Sequence, residues 1–341
     1  MQLLWESEQE GIMNSKSFDL KKFVNTYMME LILLVICIVV AFTAEGFFTV
    51  SNLLGILRSS ALKGVIAFGM TMVIICGEID LSISSTVALA GIIAATVAGK
   101  LDGAGIMGLD GGIWAGMLMA FLFAGLIGFV NGLIRVKFNI PTFIITLAMM
   151  NVNYGLAAII SKGFPVTTVP SWYNIFGAGT VAGFIPVPAI VLIIVFIIVH
   201  IVMTYTTFGR SVYAAGGNPE AARLSGVNVR KVKILVMVIV QLTAALGGIM
   251  CSSQVMSAAH NFGKGWEMDV IASVIIGGTS MNGGIGKVRG TFVGIIFLGV
   301  LLNGMTLMNV SEYVQYVVRG GLILLAVLIN TIQLNKQGKA A

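Results

Sequence analysis

The stretch VPAIVLIIVFIIVHIVMTYT, residues 187–206, contains no Lys, Arg, Asp or Glu. A helix of about 20 apolar residues is long enough to cross the hydrocarbon core of a bilayer. Nine similar stretches recur along the chain, and the one at 268–280 is the shortest. They are 27–48, 54–76, 84–99, 113–134, 142–161, 234–255, 268–280, 289–308 and 313–332. The sequence therefore predicts an all-α polytopic membrane protein with about ten transmembrane helices.

The composition agrees with this fold class. Hydrophobic residues make up 57% of the chain and charged residues only 10%, whereas soluble proteins carry about 25% charged residues. The formal net charge is +6, but the basic residues are scattered between apolar runs, so a nucleic-acid partner is not expected. The cysteines lack paired spacing and His200 and His260 lack a neighbouring ligand, so no metal site is predicted.

Two polar interruptions break the apolar pattern. GEIDLSIS occupies residues 77–84, and GGTSMNGGIG begins at residue 277 and leaves a broken segment near 277–287. Irregular backbone does not face lipid, because each unpaired amide there costs several kcal/mol. Both segments are therefore expected to be buried in protein or to line a wet cavity.

The placement of Lys and Arg predicts the topology. It gives a cytoplasmic N-terminal segment (1–26), a single transmembrane domain (27–332) and a cytoplasmic tail (333–341), with both termini inside. The long loop 206–233 then lies in the cytoplasm, and the Gly- and Pro-rich segment 162–186 lies outside. Some basic residues do not follow this pattern: Arg58, Lys63, Lys100, Lys162, Lys264 and Arg319.

The long loop contains the signals of one short helix. After a turn at Gly216–Pro219, Asn218 is a good cap, Pro219 suits the first helical position, and Glu220 complements the positive helix end; Gly226 ends the element. One interpretation is a solvated connecting loop. The other is a docking element, because a helix of under two turns is unstable in isolation and needs a partner to hold it.

Polar residues in and near the two interruptions are candidates for the pathway or its gate. Asp80, with Glu78 and Ser82, either gates the cytoplasmic mouth or caps the helix that follows. Further along the chain, candidates of the same kind are Glu267, Asp269, Ser280, Asn282 and Arg319. Ser280 and Asn282 present polar groups suited to a hydroxylated solute, and Arg319 is either functional or snorkels outward.

Several motifs in one order carry a resemblance to a known family. They are GEIDLSIS at 77–84, IPTFIITLAMM at 140–150, GGNPEAARLSGVNV at 216–229 and EMDVIASVIIGGTSMNGGIG at 267–286. With these motifs the chain resembles, over about residues 47–330, the membrane subunits of bacterial ATP-binding-cassette sugar importers of the ribose, galactose and arabinose type. Where that family usually reads GGIDLSVG, this chain has Glu78 and Ser84 in place of glycines.

The resemblance implies a non-catalytic translocation subunit for a monosaccharide, a pentose or hexose, in the bacterial inner membrane. The implied partners are a second permease subunit (a second copy or a related chain), a cytoplasmic ATPase subunit that holds the ATP and Mg²⁺, and an extracytoplasmic sugar-binding protein. The loop residues that would dock on the ATPase are Gly217, Asn218, Pro219, Glu220, Ala221, Ala222, Arg223 and Gly226. The sequence itself contains no G-x-x-x-x-G-K-[ST] motif, so no ATP site of that type is expected on this chain.

Two alternatives remain open at this point. The same architecture could import another small polar solute, such as a nucleoside, a furanose signal or a branched-chain amino acid. A secondary transporter working alone would also use broken helices like those at 77–84 and 277–287.

Overall fold

A computed structural model describes residues 28–338 of the chain, so the predicted N-terminal segment 1–26 and residues 339–341 of the predicted tail lie outside the described residues. The described part is a helical bundle. Its helices are α1 (Met28–Thr43), α2 (Val50–Ile75), α3 (Ile83–Gly103), α4 (Leu109–Phe138), α5 (Thr142–Ser161), α6 (Ile175–Ala178), α7 (Val187–Tyr205), α8 (Thr207–Gly217), α9 (Pro219–Leu224), α10 (Val229–Val255), α11 (Trp266–Ile276), α12 (Val288–Leu307) and α13 (Glu312–Gly338).

Local sequence explains where several helices begin and end. α2 begins after Thr49, whose hydroxyl accepts a hydrogen bond from the backbone N–H of Asn52. α4 ends at Phe138 because Asn139 adopts a left-handed conformation with φ of +54° and Pro141 follows two residues later.

The interruptions predicted from sequence are present in the structure. The first break, residues 76–82, separates α2 from α3, and the second break, residues 277–287, separates α11 from α12. The prediction of an all-α protein is confirmed in its main feature. The exception is a pair of two-residue antiparallel strands in the segment 162–186, β1 (Thr180–Val181) and β2 (Ile185–Pro186), which the apolar pattern did not predict.

The predicted count of about ten crossings is not confirmed. Among the described residues, seven helices are long and apolar enough to span a membrane: α2, α3, α4, α5, α7, α10 and α12. The 11-residue α11 rises only about 16 Å, roughly half of a hydrocarbon core. The apolar part of α1, Glu30–Thr43, is also shorter than the seven spanning helices. How α1, α11 and α13 sit in the bilayer therefore stays a prediction.

The core of the bundle is built around α2, which packs against α7, α10, α11 and α12. Between Ser60 and Ile75 every residue of α2 is buried except Lys63. A helix that is hydrophobic on all sides is typically buried, and Lys63 is the one charged residue in this stretch.

Helices α4 and α10 approach each other closely at two glycines. A Cβ atom placed on Gly128 would lie 2.5 Å from the carbonyl oxygen of Met237, and one on Gly132 would lie 2.7 Å from the Cα of Ile234. The sequence spacing of Gly128 and Gly132 predicts such an approach, and the structure confirms it.

Gly128→Ala is expected to destabilise the protein by about 1–3 kcal/mol, because the added methyl group would force the backbones of α4 and α10 apart. The measurement is the melting temperature of the purified protein in detergent. Gly125→Ala on the same helix is the matched control, since its nearest neighbour would be Leu242 Cδ2 at 3.7 Å. An equal loss of stability in both variants would show that close approach at Gly128 is not the cause.

Candidate functional site

The loop helix predicted from sequence is present at one end of the bundle. We call residues 217–226 the α9 segment. Asn218 Oδ1 accepts a hydrogen bond of 2.9 Å from the N–H of Ala221, and Gly226 ends the element with φ of +84°. The glycines before it differ from the expectation of a turn, because α8 continues helically to Gly217.

The α9 segment projects from the bundle. Of its helical residues only Ala222 is buried, and Leu224 is 77% exposed. Glu220 and Arg223 form an exposed ion pair of 2.6 Å. Hydrogen bonding to Arg223 lowers the pKa of Glu220 below its ordinary value. The segment thus presents one charged pair and an apolar side chain to the surroundings.

Helix α8 connects the α9 segment to both breaks. Gly216 at its end packs on the carbonyl of Ile75, and a Cβ atom there would clash with that oxygen. The same carbonyl accepts a hydrogen bond of 2.8 Å from the N–H of Gly284 in the second break. Tyr213 on α8 donates to the carbonyl of Gly286 at 2.9 Å. The two breaks and the α9 segment, which are far apart in sequence, therefore meet at one end, which we call the α9 end.

Glu78 in the first break is buried among basic side chains. Its carboxylate accepts from Arg135 Nε at 2.9 and 3.0 Å and from Lys233 Nζ at 2.5 Å, and the hydroxyl of Thr142 also donates to it. These contacts join the first break to the end of α4 and to the starts of α10 and α5. Arg135 and Lys233 were not among the candidate residues from sequence, because no spacing rule links them to Glu78.

Asp80 and Ser82 form a separate buried network. Asp80 Oδ1 accepts from the N–H and the hydroxyl of Ser82, at 2.8 and 2.6 Å, and Oδ2 accepts from Gln241 Nε2 at 2.7 Å. Gln241 and Asn131 also donate to the hydroxyl of Ser82, at 2.7 and 3.2 Å. The carboxylate thus bonds to Ser82, which precedes α3, and to α10 through Gln241, while the hydroxyl of Ser82 adds the link to α4 through Asn131.

A third group of charges consists of one buried carboxylate and two half-buried cations. Asp269 on α11 pairs with Lys63 Nζ on α2 at 2.5 Å and with Arg319 Nη1 on α13 at 3.4 Å. The sequence candidates included Asp269 and Arg319 as separate features, and the structure brings them together. The partner that was missed is Lys63, although its position outside the basic distribution was a signal that could have found it.

These charges line a cavity of about 320 Å³ between α2, α11, α12 and α13, which we call the polar cavity. It extends to Thr306 and Gln315, at the ends of α12 and α13 that lie away from the α9 end. The hydroxyl of Ser60 and the Nε of Arg319 are buried there without a hydrogen-bond partner. Further polar side chains line it: Ser59, Ser273 and Asn303.

The remaining candidates do not join this cavity. Ser280 and Asn282 lie in the second break, where the hydroxyl of Ser280 accepts from the N–H of Asn282 at 3.2 Å. Glu267 is half-buried, and its Oε2 has no hydrogen-bond partner. Within residues 28–338 there is no group of three or more His, Cys, Asp or Glu side chains arranged to hold a metal ion.

Comparison with known proteins adds to this geometry. The family described as "Branched-chain amino acid transport system / permease component" matches residues 52–327. The chain is 38% identical over 316 residues to the ribose import permease protein RbsC of Escherichia coli K12, covering 90% of this chain and 95% of that protein. It is 39% identical over 300 residues to RbsC of Bacillus subtilis 168, covering 87% and 90%. It is also 34% identical over 316 residues to the L-arabinose ABC transporter permease protein AraH of Azospirillum brasilense, covering 93% and 90%. No solved structure matches the chain.

Asp269→Asn is expected to destabilise the protein by about 1–3 kcal/mol, because it leaves the half-buried Lys63 and Arg319 without a carboxylate. The measurement is the melting temperature of the purified protein. Adding Lys63→Met to Asp269→Asn is expected to recover part of the loss, since one of the unpaired cations is then gone.

The exposed pair gives the control. Glu220→Gln breaks an ion pair that is open to solvent and is expected to leave the melting temperature unchanged. If Asp269→Asn were also without effect, the pairing of Asp269 with Lys63 would not contribute to the fold.

Proposed function

Because the chain belongs to the family of transport-system permease components that its residues 52–327 match, we propose that it is the translocation subunit of an ATP-driven monosaccharide importer. It is a multi-pass protein of the bacterial inner membrane. The observation that carries the proposal is the exposed α9 segment, joined through α8 to the breaks that end α2 and α11. Through this exposed segment a separate ATPase subunit could bind the protein and move its membrane helices.

The relatives indicate the class of cargo. The individual proteins reported above are named for ribose and L-arabinose, whereas the family description names branched-chain amino acids. We therefore propose a pentose as the transported solute, with a hexose, which is also a monosaccharide, as the next choice. An amino acid, a nucleoside or a furanose signal is less favoured, as is a secondary transporter working alone.

Energy would come from a partner, because the sequence has no nucleotide-binding motif of the P-loop type. An ATPase subunit with a groove for the α9 segment would hold ATP and Mg²⁺. Glu220 and Arg223 provide charge for that contact and Leu224 an apolar anchor. Docking from the cytoplasm agrees with the basic residues around the loop, such as Arg230 and Lys231, and with both termini inside.

The structure suggests a route for the mechanical signal. A movement of the α9 segment reaches α2 at Ile75, where Gly216 packs on its carbonyl. Lys63 lies twelve residues away on the same helix, a rise of about 18 Å, and it pairs with Asp269 on α11. Displacing α2 relative to α11 would therefore change the shape of the polar cavity. ATP binding by the partner would then favour one of two conformations of the bundle, which is the mechanism of alternating access.

The polar cavity is the proposed part of the pathway on the outer side. Hydroxyl, amide and charged groups of the kind that line it can exchange hydrogen bonds with a hydroxylated solute in transit. The extracytoplasmic binding protein would supply selectivity, so the cavity need not bind its cargo tightly. A second permease subunit would complete the assembly.

Glu220→Lys is expected to abolish ATP-driven sugar uptake, because it breaks the pair with Arg223 and inverts the charge at the start of α9. The assay is uptake by proteoliposomes that contain this subunit, its ATPase and its binding protein, with ATPase association measured in parallel. Asp102→Lys makes the same charge change in an exposed residue at the opposite end of the bundle and is expected to transport normally. Normal uptake and ATPase association by Glu220→Lys would contradict docking through the α9 segment, and ATP-independent accumulation by the purified chain alone would contradict the importer function.

Ser59→Leu is expected to reduce uptake to below about a tenth of the wild-type rate, because the larger side chain narrows the polar cavity. Assembly with the ATPase should be unchanged. Ser59→Ala at the same position removes the hydroxyl but leaves the space, and it is expected to retain uptake. Wild-type transport by Ser59→Leu would show that the cargo takes another route.

A further inference from the structure

A second, basic pocket of about 340 Å³ lies at the α9 end, between the end of α4 and the start of α10. Four cationic side chains line it: Arg135, Lys137, Arg230 and Lys233. We call it the basic pocket. It is separate from the polar cavity, which lies between α2, α11, α12 and α13.

The charges in the basic pocket are only partly neutralised. Glu78 pairs with Arg135 and Lys233. Lys137 and Arg230 are exposed, and no carboxylate of the described residues forms an ion pair with either of them. Four cations against one carboxylate leave an excess of three positive charges, which an anionic group would complement.

The pocket continues into an apolar surface along α4. Leu122, Leu126, Phe129 and Leu133 are exposed by 59%, 55%, 46% and 40%. Their spacing of four, three and four residues places them on one face of the helix, and Lys137 extends the same row by four residues. A positively charged site at the end of a spanning helix therefore leads directly into an apolar stripe at bilayer depth.

We propose that the basic pocket binds the phosphate headgroup of an anionic phospholipid whose acyl chains lie along this stripe. Basic pockets between transmembrane helices on the cytoplasmic side are suited to anionic headgroups. The apolar stripe favours a lipid over a cytoplasmic protein, because a soluble partner has no means of reaching residues such as Leu122 inside the bilayer. The headgroup would also offset the repulsion among the four cations, so its binding stabilises the α9 end.

The test uses the full-length protein purified in a neutral detergent and stripped of native lipid. Phosphatidylglycerol added in mixed micelles is expected to be retained in native mass spectrometry and to raise the melting temperature. Phosphatidylcholine with the same acyl chains is expected to do neither. The combined Lys137→Gln and Arg230→Gln variant should weaken phosphatidylglycerol binding about 30-fold, from about 1 kcal/mol for each basic residue.

A matched control removes the same number of charges elsewhere. Lys100→Gln combined with Lys162→Gln alters two exposed lysines at the opposite end of the bundle, and it is expected to bind phosphatidylglycerol as the wild type does. Both pairs lie at the surface, so folding is checked by the melting temperature without lipid. Leu126→Ser combined with Phe129→Ser tests the stripe separately, and it should weaken binding of the intact lipid while the basic pocket keeps its charges.

Several results would overturn the proposal. Equal binding of phosphatidylglycerol and phosphatidylcholine would show that headgroup charge is not recognised, as would unchanged phosphatidylglycerol binding by the Lys137 and Arg230 variant. An equal thermal shift with inorganic phosphate or deacylated glycerophosphoglycerol would assign the pocket to a free anion. Displacement of the lipid by the ATPase subunit, or by a second copy of this chain, would assign the surface to a protein.

Discussion

The contact between Gly216 and the carbonyl of Ile75 is the constraint on which the rest of the arrangement depends. The backbone of Gly216 lies directly against the carbonyl oxygen of Ile75, so any side chain at position 216 would clash with that oxygen. The N–H of Gly284 donates to the same carbonyl, and Gly77, two residues after Ile75, turns the chain with φ of +76°. Side chains can change rotamer and so accommodate a displacement, whereas a direct contact between two backbones cannot adjust in this way. A movement of α8 is therefore passed on to α2 and to the second break together.

Burial of charge gives the bundle its second constraint. A charged group in a membrane interior is costly unless it is paired, and the buried carboxylates follow this rule in different ways. Glu78 and Asp269 each form ion pairs with two cations. The pairs of Glu78 join the first break to α4 and α10, and those of Asp269 join α11 to α2 and α13. Asp80 accepts hydrogen bonds from neutral groups of Ser82 and Gln241 instead. Cationic pairing thus connects helices at the α9 end and again at the polar cavity, with the hydrogen-bonded network as an additional tie.

The sequence predicted the features that depend on local chemistry. Apolar runs indicated the membrane helices, glycines and polar residues indicated the two breaks, and the cap at Asn218 indicated α9. The contacts between distant segments were not predictable in the same way, because no spacing rule relates Lys63 to Asp269, 206 positions apart, or Glu78 to Lys233, 155 positions apart. The count of crossings was less certain for a related reason: an 11-residue helix such as α11 is placed in a bilayer by its packing and not by its own length. The functional roles of the candidate residues stay predictions.

Glu78 shows how a departure from a family pattern can be compensated. Sequences that the chain resembles usually have glycine at this position, and a larger residue would be excluded if the backbone there were left-handed. In this chain the left-handed residue is the preceding Gly77, whereas Glu78 is not among the residues with positive φ. The side chain is therefore sterically allowed, and Arg135 and Lys233 neutralise its charge. Because the same two cations line the basic pocket, a substitution in the first break changes the electrostatics of the surface proposed to meet the lipid headgroup. A glycine at position 78 would leave those cations without this carboxylate and raise the positive excess of the pocket, so this substitution sets how strongly the α9 end attracts an anion.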